Sequence, residues 1–200
     1  MSSSTIRPVT LDDIVGLERY ESIRDEFRRR IIALKRNRRL SVGDEVTFVF
    51  ENHDTVFFQI QEMLRAERIT DLDAVRAEID VYNALLPRSG QLSATMLIEI
   101  TEQRDVERRL LSLLGIDRAV RMEVGSDQVV AAEFESGHSR EDKLSAVQYV
   151  RFSLPAEARR AFMNFAVPVR LVIDHPSYQA RASIEHELRA SLAEDLRECA

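Results

Sequence analysis

The chain has little of several residues on which common classes of protein depend. It contains one cysteine, Cys199, no tryptophan and only six glycines in 200 residues. One cysteine cannot form an intramolecular disulfide, nor the thiolate cluster that holds structural zinc or an iron–sulfur centre. The few glycines leave little room for a phosphate-binding loop, and no GxGxxG or Walker A motif is present. These absences favour a reducing compartment and argue against the usual nucleotide-binding enzymes.

Long apolar runs are missing too. No stretch approaches the roughly 18 apolar residues that a membrane-spanning helix needs, and the first residues lack the apolar segment of a signal peptide. We therefore expect a cytoplasmic protein with no membrane partner. The net charge of −6 disfavours nucleic acid as a partner, because nucleic-acid binding calls for a basic face. The hydrolase and metalloprotease motifs Gly-x-Ser-x-Gly and His-Glu-x-x-His are absent as well.

What remains is the composition of a globular domain, with 44% hydrophobic and 31% charged residues. Apolar residues three and four positions apart predict helices over about 10–37, from a cap at Asn52 or Asp54 to about 67, over 72–86 and 106–114, and another after Pro155. Thr10 and Asp13 form the capping box expected to open the first, long helix. Alternating or β-branched runs predict six strands, over 45–51, 92–100, 119–124, 128–134, 145–153 and 168–173.

This order of elements has no strict βαβ alternation and therefore predicts an α+β fold. We expect a single domain over residues 1–180, with a mixed or mostly antiparallel sheet of about six strands and helices on one face. From Ser177 onward, apolar residues recur every fourth position, which is typical of a helix. Residues 181–200 are thus predicted to form an appended C-terminal helix that serves solubility or association.

The first candidate site is a basic run at the end of the first helix. Between Arg24 and Arg39 there are eight basic and two acidic residues. Guanidinium groups bind phosphate and carboxylate, so the run predicts an anion or nucleic-acid site. The alternative is a solvated helix face whose cations complement the helix dipole. The residues assigned to the site are Arg28, Lys35, Arg36, Arg38 and Arg39.

The second candidate is a metal or acid–base site of four residues. Glu62 lies on a predicted helix, Glu99 and Glu123 lie in apolar strand runs, and His175 follows a strand beside Asp174. A neighbouring carboxylate can orient an imidazole, and carboxylates with one imidazole suit iron or manganese. Ordinary roles compete with this interpretation: Glu62 can pair with an arginine, and His175 can satisfy backbone donors in a turn.

Six strings of the sequence, in order, resemble a bacterial family catalogued only as a domain of unknown function. They are SIRDEFRRRIIALKRNRRL, FENHDTVFFQIQEMLRAERI, YNALLP, ATMLIEI, SAVQYVRF and IDHPSY, and they cover about residues 10–180. Genes of that family tend to neighbour a rubrerythrin-like protein and an iron–sulfur oxidoreductase similar to heterodisulfide reductase subunits. The resemblance implies a part in electron transfer or peroxide defence and supplies no catalytic residue. The family pattern favours histidine at the place of Gln148, which puts a metal ligand there in doubt for this chain.

Three hypotheses follow. The leading one is a non-enzymatic accessory or binding partner of a bacterial redox system, since catalytic signatures are missing and the resemblance implies such partners. The second is an iron or manganese enzyme that uses Glu62, Glu99, Glu123 and His175. The third is an anion or nucleic-acid binder that uses the basic helix. Each is compatible with a homo-oligomer.

Overall fold

The computed structural model describes residues 6–101, 105–135, 139–140 and 143–197. Within these ranges there are six α-helices: α1 Leu17–Arg36, α2 His53–Ala66, α3 Leu72–Asn83, α4 Val106–Ser112, α5 Ala156–Met163 and α6 His186–Arg197. The strands are β1 Arg39–Val42, β2 Val46–Phe50, β3 Gln91–Ile98, β4 Val120–Val124, β5 Gln128–Phe134, β6 Ser139–Arg140, β7 Lys143–Leu144, β8 Val147–Ser153, β9 Val169–His175 and β10 Tyr178–Ser183. No helix in the described part of the chain is long and apolar enough to span a bilayer. Cys199 lies outside the described residues.

Eight of these strands form one antiparallel sheet in the order β1-β2-β3-β8-β5-β4-β9-β10. The sheet curls until its two edge strands, β1 and β10, meet, so that it is nearly a closed barrel. A side chain makes the closing contact. The Tyr178 hydroxyl donates to the Val42 carbonyl at 2.7 Å and accepts from the Glu45 amide at 3.1 Å. Gly43, at a φ of +73°, lies directly under this hydroxyl, where any Cβ would collide with it.

The inner face of the curled sheet holds the larger core. Strand residues point alternately to opposite faces, so β3 sends Leu92, Ala94 and Met96 inward, all of them 1% exposed or less. Helix α6 lies against this face and buries Leu192 completely and Leu196 to within 1%. Helices α4 and α5 contribute further apolar residues to the same cluster.

A second, smaller core lies on the outer face of the sheet, where α2 and α3 pack with the segment that precedes α1. The outward-facing residues of β3 and β8, such as Thr95 and its partner Tyr149, face this layer. Gln61 fixes the N-terminal segment by accepting from the Val15 amide at 2.6 Å and donating to the Val15 carbonyl at 3.1 Å. Helix α1 packs on α2 through buried Tyr20 and Ile31.

The α+β class and the antiparallel sheet are confirmed, and the six predicted strands correspond to β2, β3, β4, β5, β8 and β9. The prediction of about six strands was too low because β1 and β10 were missed. The turn predicted at 41–44 overlaps the end of β1, and the helix predicted from Ser177 begins at His186, after β10. Both missed strands are short or poor in β-branched residues, so the local strand signal is weak.

The arrangement of helices also differs from the prediction. Helices cover both faces of the sheet rather than one. The capping box at Thr10 and Asp13 opens only the short 3-10 helix Leu11–Asp13, and α1 starts after Gly16. Residues 186–197, which were assigned to an appended helix, form α6, whose apolar stripe is part of the inner core.

Candidate functional site

Glu62, the helix carboxylate predicted to serve a metal, is held in an ion pair between α1 and α2. Arg24 donates to its two oxygens at 2.8 and 2.7 Å, and the Tyr20 hydroxyl donates at 2.9 Å. The Arg24 hydrogen bond holds the pKa of Glu62 below its ordinary value, although partial burial opposes this. Burial of the ring, and next its hydrogen bond to the same carboxylate, raise the pKa of Tyr20. Glu62 therefore serves to join the two helices.

The other three predicted ligands have separate partners. Glu99 accepts from Thr47 at 2.6 Å and from Arg39 at 2.9 Å, and these hydrogen bonds lower its pKa. Glu123 pairs with Arg121 at 3.0 Å on the outer face of β4. His175 is 7% exposed and uses both ring nitrogens in backbone hydrogen bonds. Its Nδ1 accepts from the Ser177 amide at 3.2 Å, so its Nε2–H donates to the Leu114 carbonyl at 2.9 Å.

The structure does not bring these four residues together. In the described part of the chain, no three residues among His, Cys, Asp and Glu are close enough to hold a metal ion. Each of the four also has its acceptor or donor atoms engaged locally. The geometry thus gives no support to the iron or manganese site predicted from Glu62, Glu99, Glu123 and His175, because a metal needs converging ligands.

Sequence reasoning did not single out Glu51, a carboxylate that is only 2% exposed. Three neutral donors surround it: the hydroxyls of Thr95 and Thr55 at 2.7 and 2.5 Å, and the Gln59 amide at 3.3 Å. These contacts tie the start of α2 to the outer face of β3. The sequence signal for this network is a charged residue, Glu51, at the end of an apolar strand. The contact itself could not be predicted, because Thr95 is 44 residues further along the chain. The network satisfies the hydrogen-bonding needs of a buried carboxylate.

The predicted anion site divides into two parts. Arg38 is 1% exposed and cannot reach a surface ligand: it pairs with buried Asp195 at 2.5 Å and donates to the Phe50 and Glu51 carbonyls. The hydrogen bonds of Arg38 are thus all made inside the protein. Arg39 is exposed but pairs with Glu99 at 2.9 Å. The remaining members, Arg28, Lys35 and Arg36, lie on the solvent side of α1.

These three residues belong to a surface patch that we call the Ile32 face, formed by Arg28, Arg29, Ile32, Lys35 and Arg36. Residues three and four positions away on a helix are its nearest surface neighbours, and all four such neighbours of Ile32 are basic. Ile32 itself is 47% exposed. None of the four basic residues makes an ion pair within the described part of the protein.

The Ile32 face combines an apolar centre with unneutralised positive charge on a protein whose net charge is −6. The Lys35 ammonium lies 6.0 Å from the centre of the Phe58 ring, which keeps this cation near the α1–α2 boundary. Such a patch can bind an anionic surface that also offers apolar contact.

Comparison with known proteins places the chain among uncharacterised relatives. None of the curated proteins compared with the chain matches it. A crystal structure of a novel protein of unknown function from Burkholderia pseudomallei K96243 is 34% identical and superposes with a TM-score of 0.89. That alignment covers 95% of this chain and 100% of the other. The model of a family described as protein of unknown function, DUF3501, matches residues 8–196, so α6 is part of the family's domain. The chain therefore belongs to the DUF3501 family.

Proposed function

We propose that the protein is a non-enzymatic binding partner that docks an acidic protein surface on its Ile32 face. The observation that carries the proposal is that Ile32 is 47% exposed and that its four basic helix neighbours make no ion pair with the described residues. A single exposed aliphatic side chain is ordinary on a protein surface, so the proposal depends on the positive charge that surrounds Ile32. Arginine is also enriched in protein–protein interfaces, where its charge sets orientation and its stem packs.

A protein partner fits this patch better than nucleic acid does. The centre of the patch is aliphatic, whereas single-stranded nucleic acid needs exposed aromatic rings for stacking. Phosphate backbones need only charge and gain nothing from Ile32. The partner class implied by the resemblance, a rubrerythrin-like protein or an iron–sulfur oxidoreductase, is therefore the first to test.

The test measures binding of the full chain to a purified rubrerythrin-like protein and to the iron–sulfur oxidoreductase, by calorimetry at two salt concentrations. We expect Ile32→Asp and Arg36→Glu each to weaken binding by at least about tenfold, which is about 1.4 kcal/mol. The control is Leu72→Asp, because Leu72 is a similarly exposed aliphatic residue, 57% exposed, on α3. It should change affinity by less than about twofold.

The possible outcomes distinguish an error in the proposed binding surface from an error in the proposed function. Binding that Ile32→Asp and Arg36→Glu leave unchanged would place the interface elsewhere on the molecule. No binding to either protein would remove the redox-partner role. Tight, salt-sensitive binding of duplex DNA that survives Ile32→Asp would show a phosphate site instead.

A further inference from the structure

The flank of α1 opposite the Ile32 face carries a depression of about 430 Å³. Within the described part of the chain it is lined by Ile23, Glu26, Phe27 and Arg30. These are positions i, i+3, i+4 and i+7 of one helix, the four positions that frame a hole in knobs-into-holes packing. Ile23 is 39% exposed, so an apolar wall of this hole faces water. The shape fits a second helix laid along α1.

The charges of α1 indicate which helix that is. Within the hole, Glu26 is acidic and Arg30, one helical turn later, is basic, whereas Arg28, Arg29, Lys35 and Arg36 belong to the opposite, Ile32 face. A second α1 packed antiparallel brings Glu26 of each copy beside Arg30 of the other. A parallel copy would place like charges together, and a uniformly acidic foreign helix would meet Glu26 in the hole.

We propose that the chain forms a two-fold symmetric dimer in which α1 packs antiparallel on α1 of a second copy. With Phe27 nearest the two-fold axis, Glu26 precedes the axis by one residue and Arg30 follows it by three. In the antiparallel partner this order is reversed, so Glu26 and the second copy's Arg30 differ by only about 3 Å in height. Each dimer therefore forms this ion pair twice, as an isologous interface requires.

The Arg30 side chain is already positioned for this role. Its guanidinium lies 4.9 Å from the centre of the Phe27 ring, which restricts the side chain to the hole. Phe27 in turn packs against the rings of Phe57 and Phe58, at 5.4 and 5.9 Å, so the hole has a rigid floor. These contacts reduce the side-chain entropy that is lost when a second helix docks.

The dimer does not compete with the Ile32 face. Ile23 and Ile32 are nine positions apart, which is two and a half helical turns, so they point to opposite sides of α1. The proposal thus stands whether or not the Ile32 face binds a redox protein.

The test is sedimentation equilibrium of the full chain over a range of concentrations. We expect a monomer–dimer equilibrium that Glu26→Arg and Arg30→Glu each weaken by at least about tenfold, because each places like charges across the axis. The double variant Glu26→Arg/Arg30→Glu should return to within about threefold of the natural chain, since the swapped pair is again complementary. Both residues are exposed, and circular dichroism checks that the variants fold.

The matched control is the same pair of changes one position earlier, Asp25→Arg and Arg29→Glu. These exposed residues have the same spacing but lie outside the hole. They should leave the dimer constant within about twofold. A chain that stays monomeric up to about 1 mM would overturn the proposal. A dimer that ignores the Glu26 and Arg30 variants, or a double variant that does not recover, would do the same.

Discussion

Two buried arginines show how one residue type is stabilised in two different ways. Arg38 has a carboxylate partner, Asp195, and both side chains are 1% exposed. Arg189 is 4% exposed and donates to the carbonyls of Ala161, Phe162, Asn164 and Val167. Most of these carbonyls lie at the C-terminal end of α5, where the helix dipole is negative and cations are favoured. Burial still lowers the pKa of Arg189, because carbonyl dipoles do not fully replace hydration.

Arg38 and Arg39 are neighbours in sequence, yet we expect very different costs when each is replaced by alanine. Arg38→Ala leaves Asp195 buried without its cation and should lower the free energy of unfolding by about 3–5 kcal/mol. Arg39→Ala breaks a pair whose side chains are both 47% exposed and should cost less than about 1 kcal/mol. Urea unfolding measures both. Equal losses would contradict the assignment of Arg38 to the interior.

Among the elements, α2 explains why the string FENHDTVFFQIQEM is rich in polar residues without being catalytic. Asn52 caps the helix by accepting from the Thr55 amide at 3.1 Å. Glu51, Gln61 and Glu62 join the same helix to β3, to the N-terminal segment and to α1. The cap and the helix could be predicted because their signals are local. The three tertiary partners could not, since Thr95, Val15 and Arg24 lie 38 to 46 residues away in sequence.

Helix α6 marks a different limit of sequence analysis. Its apolar stripe predicted a helix correctly, but a stripe does not reveal which surface receives it. The receiving surface is the inner face of a sheet whose last strand, β10, was itself missed. β10 reads YQARAS, with small and polar residues and no β-branched one. Because a helix is predicted over the residues of β10, the sequence does not indicate the curled sheet that receives α6, and α6 is predicted to be an appended helix.

If α6 is part of the core, truncating its central leucine should destabilise the whole domain. Leu192 is fully buried in the inner cluster, so Leu192→Ala should lower the free energy of unfolding by about 2–5 kcal/mol. The control is Val81→Ala on α3, where the side chain is 64% exposed and the expected change is under about 0.5 kcal/mol. Unfolding should remain a single transition. A small loss for Leu192→Ala would mean that α6 is only loosely attached.

At the scale of the molecule, the two proposed surfaces, the Ile32 face and the Ile23 flank, lie on opposite sides of α1. A third side of this helix packs against the rest of the domain. Buried Tyr20 and Ile31 face α2, while Ile23 and Ile32 project from the two flanks. A dimer through the Ile23 flank therefore leaves two Ile32 faces available. Because each Ile32 face points away from the α1–α1 contact, the two faces of the dimer point in opposite directions and would bind two separate partner molecules.

The barrel itself is closed by Tyr178 rather than by a backbone ladder, and this has a measurable consequence. Tyr178→Phe removes both hydrogen bonds between β10 and the β1–β2 turn and should cost about 0.5–1.5 kcal/mol for each. Amide hydrogen exchange should rise first in β1 and β10, because these edge strands lose their mutual contact, and only later in central β3. The control is Tyr82→Phe, which removes a hydroxyl that makes no hydrogen bond within the described residues. It should leave the free energy of unfolding and the amide exchange rates unchanged. Equal acceleration in β1, β3 and β10 would mean that Tyr178 stabilises the domain generally and does not close the barrel.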